Sequence, residues 1–161
     1  MKNIILFDND ARDRLLPLTF TRPICELRVG ILTIREKWEK WLKGSVSYIT
    51  QDYLSEKYDI VVADSNLIIN GAVLPSKELC ILINQMEVNE ALLHEGELVV
   101  ARVDKKQFER LMTEDDLEEL NMIEMAKIRT SSESRTVSYC LGENGLTKEV
   151  KFHNVKESTS P

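Results

Sequence analysis

The sequence predicts a layered α/β domain with a partly parallel central sheet. Two patterns carry this. Apolar runs of strand length recur along the 161 residues. Between them lie segments with helical apolar spacing that open on helix-capping residues. Composition agrees: 43% hydrophobic residues supply enough apolar side chain for one core. The length suits one domain, residues 1–155, with a polar flexible tail at 156–161.

Asn3–Phe7 is an apolar run closed by Asp8, as expected of a strand buried on both faces. Residues 8–30 follow without steady periodicity and hold two prolines and four arginines. Long connections of this kind are often functional. A helix then opens on Thr33, with Glu36 completing a capping box. Ile34, Trp38, Trp41 and Leu42 share one face, and Gly44 is expected to end the helix. Both tryptophans are expected to seal it against the sheet rather than form a ligand platform.

Val46–Ile49 reads as the next strand, and Gln51–Lys57 as a short helix capped by Thr50. Asp59–Ala63 is a further candidate strand. The alternative is a two-strand piece reaching Leu67–Ile69 through a turn at Asp64-Ser65-Asn66. Asn70-Gly71 signals a turn. Leu79–Ile83 reads as a buried strand, Val88, Ala91 and Leu92 as a helix, and Glu97–Val103 as a strand. Asp104 and Gln107 form a second capping pattern before Phe108, Leu111 and Met112. Thr113–Asp116 repeats it before Leu117, Leu120, Ile123 and Ala126, so the acids at Glu114–Glu119 read as capping and solvation. Ser134–Leu141 and Leu146–Phe152 flank Asn144-Gly145 as a hairpin.

Several function classes are disfavoured. No apolar run approaches the roughly 18 residues of a membrane span, and the amino terminus lacks a secretory pattern. Cys25, Cys80 and Cys140 form neither a CxxC nor a disulfide framework, which points to a reducing, cytoplasmic setting. His94 and His153 are isolated from metal-ligand motifs. There is no GxGxxG after the first strand, no GxxxxGK[ST] and no GxSxG. The net charge of −6 argues against nucleic acid and anionic membranes as partners. Residues 1–50 nonetheless hold nine Lys/Arg against six Asp/Glu. A basic segment on an acidic body fits a small anion, and equally fits ordinary surface variation.

The chemistry-bearing segment is Asp8 to Gly30. Arg12, Arg14, Arg22 and Arg28 offer forked donors suited to phosphate oxygens. Pro17 and Pro23 stiffen the chain between them. Asp8 and Asp10 are candidate carboxylates for Mg²⁺, and Asp64 is expected to face the same crevice. The competing reading is a structural loop in which Arg and Asp pair with one another, with Asp64 a turn residue.

Arg14-Leu15-Leu16-Pro17-Leu18-Thr19, followed by Arg22-Pro23, resembles the signature of the sugar-phosphate nucleotidyltransferases, roughly G-x-G-T-R-L-x-P-L-T followed by P-K. NIILFD, the run from Arg14 to Trp38, YITQDYLSEKY and LIINGAVLPS are similar to the amino-terminal region of a divergent branch akin to bifunctional N-acetylglucosamine-1-phosphate uridyltransferases. The likeness spans about residues 3–105. It implies a Rossmann-like, nucleotidyltransferase-type fold with a mixed, mostly parallel sheet, here incomplete. It implies a nucleoside triphosphate and a sugar-1-phosphate as partners, Mg²⁺ as cofactor, and nucleotidyl transfer with release of pyrophosphate. Arg14 and Arg22 would be catalytic, while Asp10, Arg12, Pro17, Leu18, Thr19 and Arg28 would hold the nucleotide. Asp8 and Asp64 would serve the metal.

The sequence departs from that signature in three places. Asn9, Asp10, Ala11 and Arg12 stand where the family has glycines, Asp13 stands at its threonine and Ile24 at its lysine. The family's catalytic domains are also longer. The alternative expectation is therefore a non-catalytic nucleotide-binding or assembly domain, of the kind that accompanies a left-handed β-helix acyltransferase domain. Either form leaves room for a homo-oligomer.

Overall fold

The structure is a computed structural model that describes residues 1–94, 97–113, 136–142 and 145–153, with side chains as far as residue 109. The strands are β1 (Lys2–Phe7), β2 (Arg28–Val29), β3 (Leu32–Thr33), β4 (Gly44–Ile49), β5 (Ser65–Asn70), β6 (Glu90–His94), β7 (Glu97–Asp104), β8 (Thr136–Gly142) and β9 (Gly145–His153). The helices are α1 (Ala11–Arg14), α2 (Ile34–Leu42), α3 (Asp52–Ser55), α4 (Lys77–Gln85) and α5 (Lys105–Thr113).

Seven strands form one open, mixed sheet in the order β4-β1-β5-β7-β6-β8-β9, while β2 and β3 make a separate ribbon. Strand β1 runs parallel to both β4 and β5. Strand β7 is antiparallel to β5 and to β6, β8 is parallel to β6, and β9 returns antiparallel to β8. The carboxyl ends of β1, β4 and β5 therefore meet along one edge of the sheet.

Strand β1 is apolar from Ile4 to Phe7 because both its faces are covered there. Ile4 and Leu6 point into a cluster with Trp38 and Leu42 of α2 and with Leu79, Cys80 and Ile83 of α4. Ile5 and Phe7 point into a second cluster with Ile49, Ile68, Ala101 and Phe108 of α5. Alternation along the strand thus feeds two cores, one on each side of the sheet.

Helix α2 starts as its sequence dictates. The Thr33 hydroxyl accepts from the Glu36 amide, and the Glu36 carboxylate accepts from the Thr33 amide at 2.7 Å. Its end differs from expectation. Lys43 takes the left-handed conformation (φ 52°), and Gly44 opens β4 instead. A Cβ on Gly44 would lie 2.6 Å from the Lys2 carbonyl oxygen, so this glycine serves strand approach rather than helix termination. The two tryptophans also part ways. Trp38 is fully buried and its indole donates to the Val73 carbonyl, whereas Trp41 is half exposed.

Four further expectations are corrected. Leu79–Ile83 belongs to helix α4: Ser76 accepts from the Leu79 amide, and Leu79, Cys80 and Ile83 share a buried face while Ile81 is exposed. A five-residue apolar run does not distinguish strand from helix. Val88, Ala91 and Leu92 do not form a helix. Asn89 has φ 69°, and β6 begins after it. Asp59–Ala63 is not a strand, so the two-strand alternative holds only in its Leu67–Ile69 part: β5 already begins at Ser65, inside the expected turn, and Asn66 pairs with the Ala63 amide and carbonyl. Thr50 does not cap α3, whose N-cap Gln51 makes no side-chain bond.

Strand β7 and the β8–β9 pair follow expectation. Asp104 accepts from the Gln107 amide at 2.7 Å, the first half of the expected capping box. The helix beyond Thr113, the Thr113–Asp116 pattern, the acids at 114–119, the turn residues 143 and 144, the Cys140 thiol and the tail at 156–161 lie outside the described residues or side chains. No helix among the described residues is long and apolar enough to cross a membrane.

Candidate functional site

The segment after β1 is anchored by Asp8, whose side chain is 6% exposed. One carboxylate oxygen accepts from the Ile24 amide at 2.9 Å and the other from the Thr50 hydroxyl at 2.7 Å. The Asp8 amide donates to the Ile49 carbonyl. One carboxylate thus ties the far end of the loop to the carboxyl ends of β1 and β4. Burial raises its pKa, opposed by the hydrogen bonds from Thr50 and Ile24 and by the Arg12 charge.

Residues 9–14 form one helical turn where glycines were expected by resemblance. The Asn9 side chain accepts from the Ala11 amide at 3.2 Å, and the chain turns into α1. Arg12 points inward and is buried. Its Nη2 donates to the Thr19 carbonyl at 3.0 Å and to the Tyr53 hydroxyl. The Thr19 hydroxyl, itself fully buried, donates back to the Arg12 carbonyl at 2.7 Å. This reciprocal pair closes residues 12–19 into a loop, so Arg12 and Thr19 shape it from inside.

The other arginines face outward. Arg14 ends α1 exposed, and Arg22 is exposed beyond the loop. Neither makes a hydrogen bond or ion pair among the described residues. Pro17 and Leu18 lie exposed at the loop surface, and Asp10 is exposed at the start of α1. Leu15 packs against the core. The loop's inner contacts therefore present Arg14 and Arg22 to solvent at the carboxyl edge of the parallel strands, the edge where open α/β sheets receive ligands.

Arg22 and Arg28 come together in a polar cleft of about 390 Å³, lined also by Thr21, Glu26, Thr33, Arg35, Glu36, Lys57 and Tyr58. Arg14 does not line it. Its floor is a fixed network: Glu26 accepts from Arg35 Nε at 2.6 Å and from the Tyr48 hydroxyl at 2.7 Å, and Arg35 also donates to Glu39. Burial and the Glu26 carboxylate push the Tyr48 phenol well above its usual range. Burial opposes the charge on Arg35, but the Glu26 and Glu39 contacts outweigh it and hold its pKa up.

Asp64 does not join the crevice. Strands β1 and β5 are parallel with Asn3 level with Asn66, so Asp64 sits at the amino end of the pair while Asp8 sits at the carboxyl end. Six or seven residues at about 3.3 Å each separate them by roughly 20 Å. Among the described residues, no three His, Cys, Asp or Glu side chains gather as a metal site. The Asp8–Asp64 pair thus does not fit a shared cation.

The sequence did not mark Tyr53, Arg35, Lys57 or Tyr58 as site residues, and it offered Thr50 only a helix-capping role. Thr50 and Tyr53 lie in the segment just after β4, inside the stretch YITQDYLSEKY, whose likeness to the family was a signal for this edge alongside the position of β4 beside β1.

The fold and this loop define a layered α/β domain with a cationic edge at the ends of parallel strands, suited to phosphate-bearing small molecules. The chain belongs to the sugar nucleotidyl transferase family, whose model matches residues 4–141. Seven solved chains match it significantly. One is a crystal structure, in complex with a sucrose, of a Bacillus anthracis protein described as a glucose-1-phosphate thymidylyltransferase. It is 17% identical with a TM-score of 0.55 and covers 86% of each chain, a likeness of fold. No curated protein sequence matches significantly.

Proposed function

We propose that the chain binds a nucleoside triphosphate with Mg²⁺ at the loop after β1 and transfers its nucleotidyl group to a sugar-1-phosphate. The reading rests on one observation: Arg14 and Arg22 of the family-like segment stand exposed at the carboxyl edge without a side-chain partner among the described residues, while Arg12 and Thr19 hold the loop. A phosphate oxygen of the sugar-1-phosphate attacks the α-phosphorus. The bond to the bridging oxygen breaks, and pyrophosphate leaves. Arg14 and Arg22 stabilise charge on the transferring and leaving groups, and the fixed loop supplies orientation. Mg²⁺ would be brought by the triphosphate, and Asp10 and Asp13 are the exposed carboxylates of this loop that could meet it. Among the described residues Cys25 and Cys80 are buried free thiols, which supports a reducing, cytoplasmic setting.

Titration with UTP, dTTP and GTP in the presence of Mg²⁺ tests the reading, followed by assay of pyrophosphate release with hexose-1-phosphates. Absence of nucleotide binding, or equal binding by Arg14→Ala, defeats it. A second reading, a binding or assembly domain without catalysis that accompanies a β-helix domain as in the uridyltransferase branch, is favoured by the helical turn at Asn9–Arg12. A side-chain-bearing turn stands where glycine backbone would approach phosphates. Nucleotide binding without pyrophosphate release selects it.

A further inference from the structure

We propose that the cleft between the β2–β3 ribbon and the turn after α3 is a phosphate-binding subsite, with Arg28 and Lys57 as its ligand-contacting cations and Arg22 linking it to the loop. The proposal rests on the nucleotidyl-transfer reading for its substrates and extends it to residues outside the signature segment.

The argument starts from which charges are already committed. Four cations and two carboxylates line the cleft. Arg35 is spent on Glu26 and Glu39, at 2.6 and 2.8 Å. Glu26 is held by Arg35 and by the Tyr48 hydroxyl. Glu36 is tied to the Thr33 amide in the capping box, so the start of α2 is satisfied within the protein and needs no external anion. Arg22, Arg28 and Lys57 remain. Arg28 gives one Nη1 bond to the Ile31 carbonyl and keeps its other donors. Lys57 rests over the Tyr58 ring at 5.2 Å and makes no hydrogen bond or ion pair among the described residues.

Local structure holds these groups in place. Gly30, with φ 80°, turns the ribbon so that Arg28 pairs across from Thr33 at the mouth of α2. Lys57 is set by the turn in which its amide donates to the Leu54 carbonyl, with Leu54 buried. Arg22 and Lys57 have no carboxylate partner among the described residues and Arg28 has only the nearby Glu36, so the four cations of the cleft outnumber its two carboxylates and its excess positive charge favours an anion, on a chain of net charge −6. The volume of about 390 Å³ lies within the range of small-ligand pockets. The lining is polar and charged, which suits a phosphate rather than a nucleobase. Arg22 and Thr21 bring the signature loop to the cleft wall, so a phosphate here is one carried by the nucleotide or by the sugar-phosphate.

The test is binding of inorganic pyrophosphate by calorimetry at low salt, on the full chain. Wild type is expected to bind, with affinity falling as salt rises. Arg28→Gln with Lys57→Gln should weaken binding at least about tenfold, and Lys40→Gln, an exposed cation on α2 outside the cleft, should change it less than about twofold. Both altered positions are exposed, and thermal melts verify that the variants fold. Competition identifies the source: displacement by a hexose-1-phosphate assigns the subsite to the sugar-phosphate, and displacement by a nucleoside triphosphate assigns it to the nucleotide. No pyrophosphate binding by wild type, equal binding by a folded double variant, or displacement by neither substrate overturns the proposal. Failure of nucleotidyl transfer is a separate result, because it is read by pyrophosphate release and by Arg14→Ala.

Discussion

Arg12 and Tyr53 form a pinned pair: the guanidinium lies 5.6 Å from the ring centroid of Tyr53 and also donates to its hydroxyl. That hydroxyl donates onward to the Phe20 carbonyl at 2.9 Å. A residue of α3 thus reaches back and holds the loop that carries Arg14 and Arg22. Tyr53→Phe keeps the ring and removes the bridge. It should cost about 1 kcal/mol of stability and speed proteolytic cleavage within residues 15–22. Urea unfolding and limited proteolysis read the two effects, and an unchanged cleavage rate would show that the hydroxyl does not hold the loop.

Two arginines two positions apart should behave oppositely. Arg12 is buried with partners on Thr19 and Tyr53, so Arg12→Ala strands a buried carbonyl and opens space, at roughly 2–4 kcal/mol. Arg14 is exposed and has no side-chain partner among the described residues, so Arg14→Ala should stay within about 0.5 kcal/mol of wild type while nucleotide affinity falls about tenfold or more. Chemical denaturation of both variants, set beside nucleotide titration of Arg14→Ala, checks the split.

This contrast marks what the sequence made legible. Four arginines after a buried strand identified the segment, and the parallel pairing of β1 placed it at the ligand edge. Which arginines face inward was not legible, because it depends on Tyr53 and Thr19 meeting Arg12 across the loop, and separation along the chain gives no hint of that. Asp64 failed for a related reason. The sequence offers a candidate strand at Asp59–Ala63 before it, but the strand begins after it, at Ser65, which moves Asp64 to the opposite end of the sheet. The capping patterns opening on Thr33 and Asp104 were legible because capping is local, but the Ser76 cap of α4 was missed and the Thr50 cap does not form; short apolar runs such as Leu79–Ile83 are decided by burial against distant elements.

Asp8 gives the fold a specific pH signature. Its folded-state pKa is raised from 3.8 by burial. Between the ordinary and raised values the folded state binds more protons than the unfolded one, so this group's contribution to stability falls as pH rises through that window. Asp8→Asn keeps a side-chain acceptor for the Ile24 amide and removes the titration. The stability of wild type relative to Asp8→Asn should therefore decline from pH 4 to pH 7. Denaturation midpoints at the two values measure it, and a relative stability that rises with pH would assign Asp8 a depressed pKa instead.

The tryptophans of α2 separate packing from surface on a single helix. Trp38 is fully buried, donates to Val73 and contacts both Ile4 of β1 and the α4 side of the core through one cluster. Trp38→Phe leaves a void and strands the Val73 carbonyl, for a loss of roughly 2–3 kcal/mol. Trp41 is half exposed, so Trp41→Phe should cost less than about 0.5 kcal/mol. Fluorescence distinguishes them without a denaturant. The Trp41→Phe protein retains only Trp38, whose buried indole should emit to the blue and resist iodide, while the Trp38→Phe protein should be readily quenched. Equal quenching in the two variants would mean that α2 does not seat Trp38 against the sheet, and the ordering of the loop before it would then lose its fixed end.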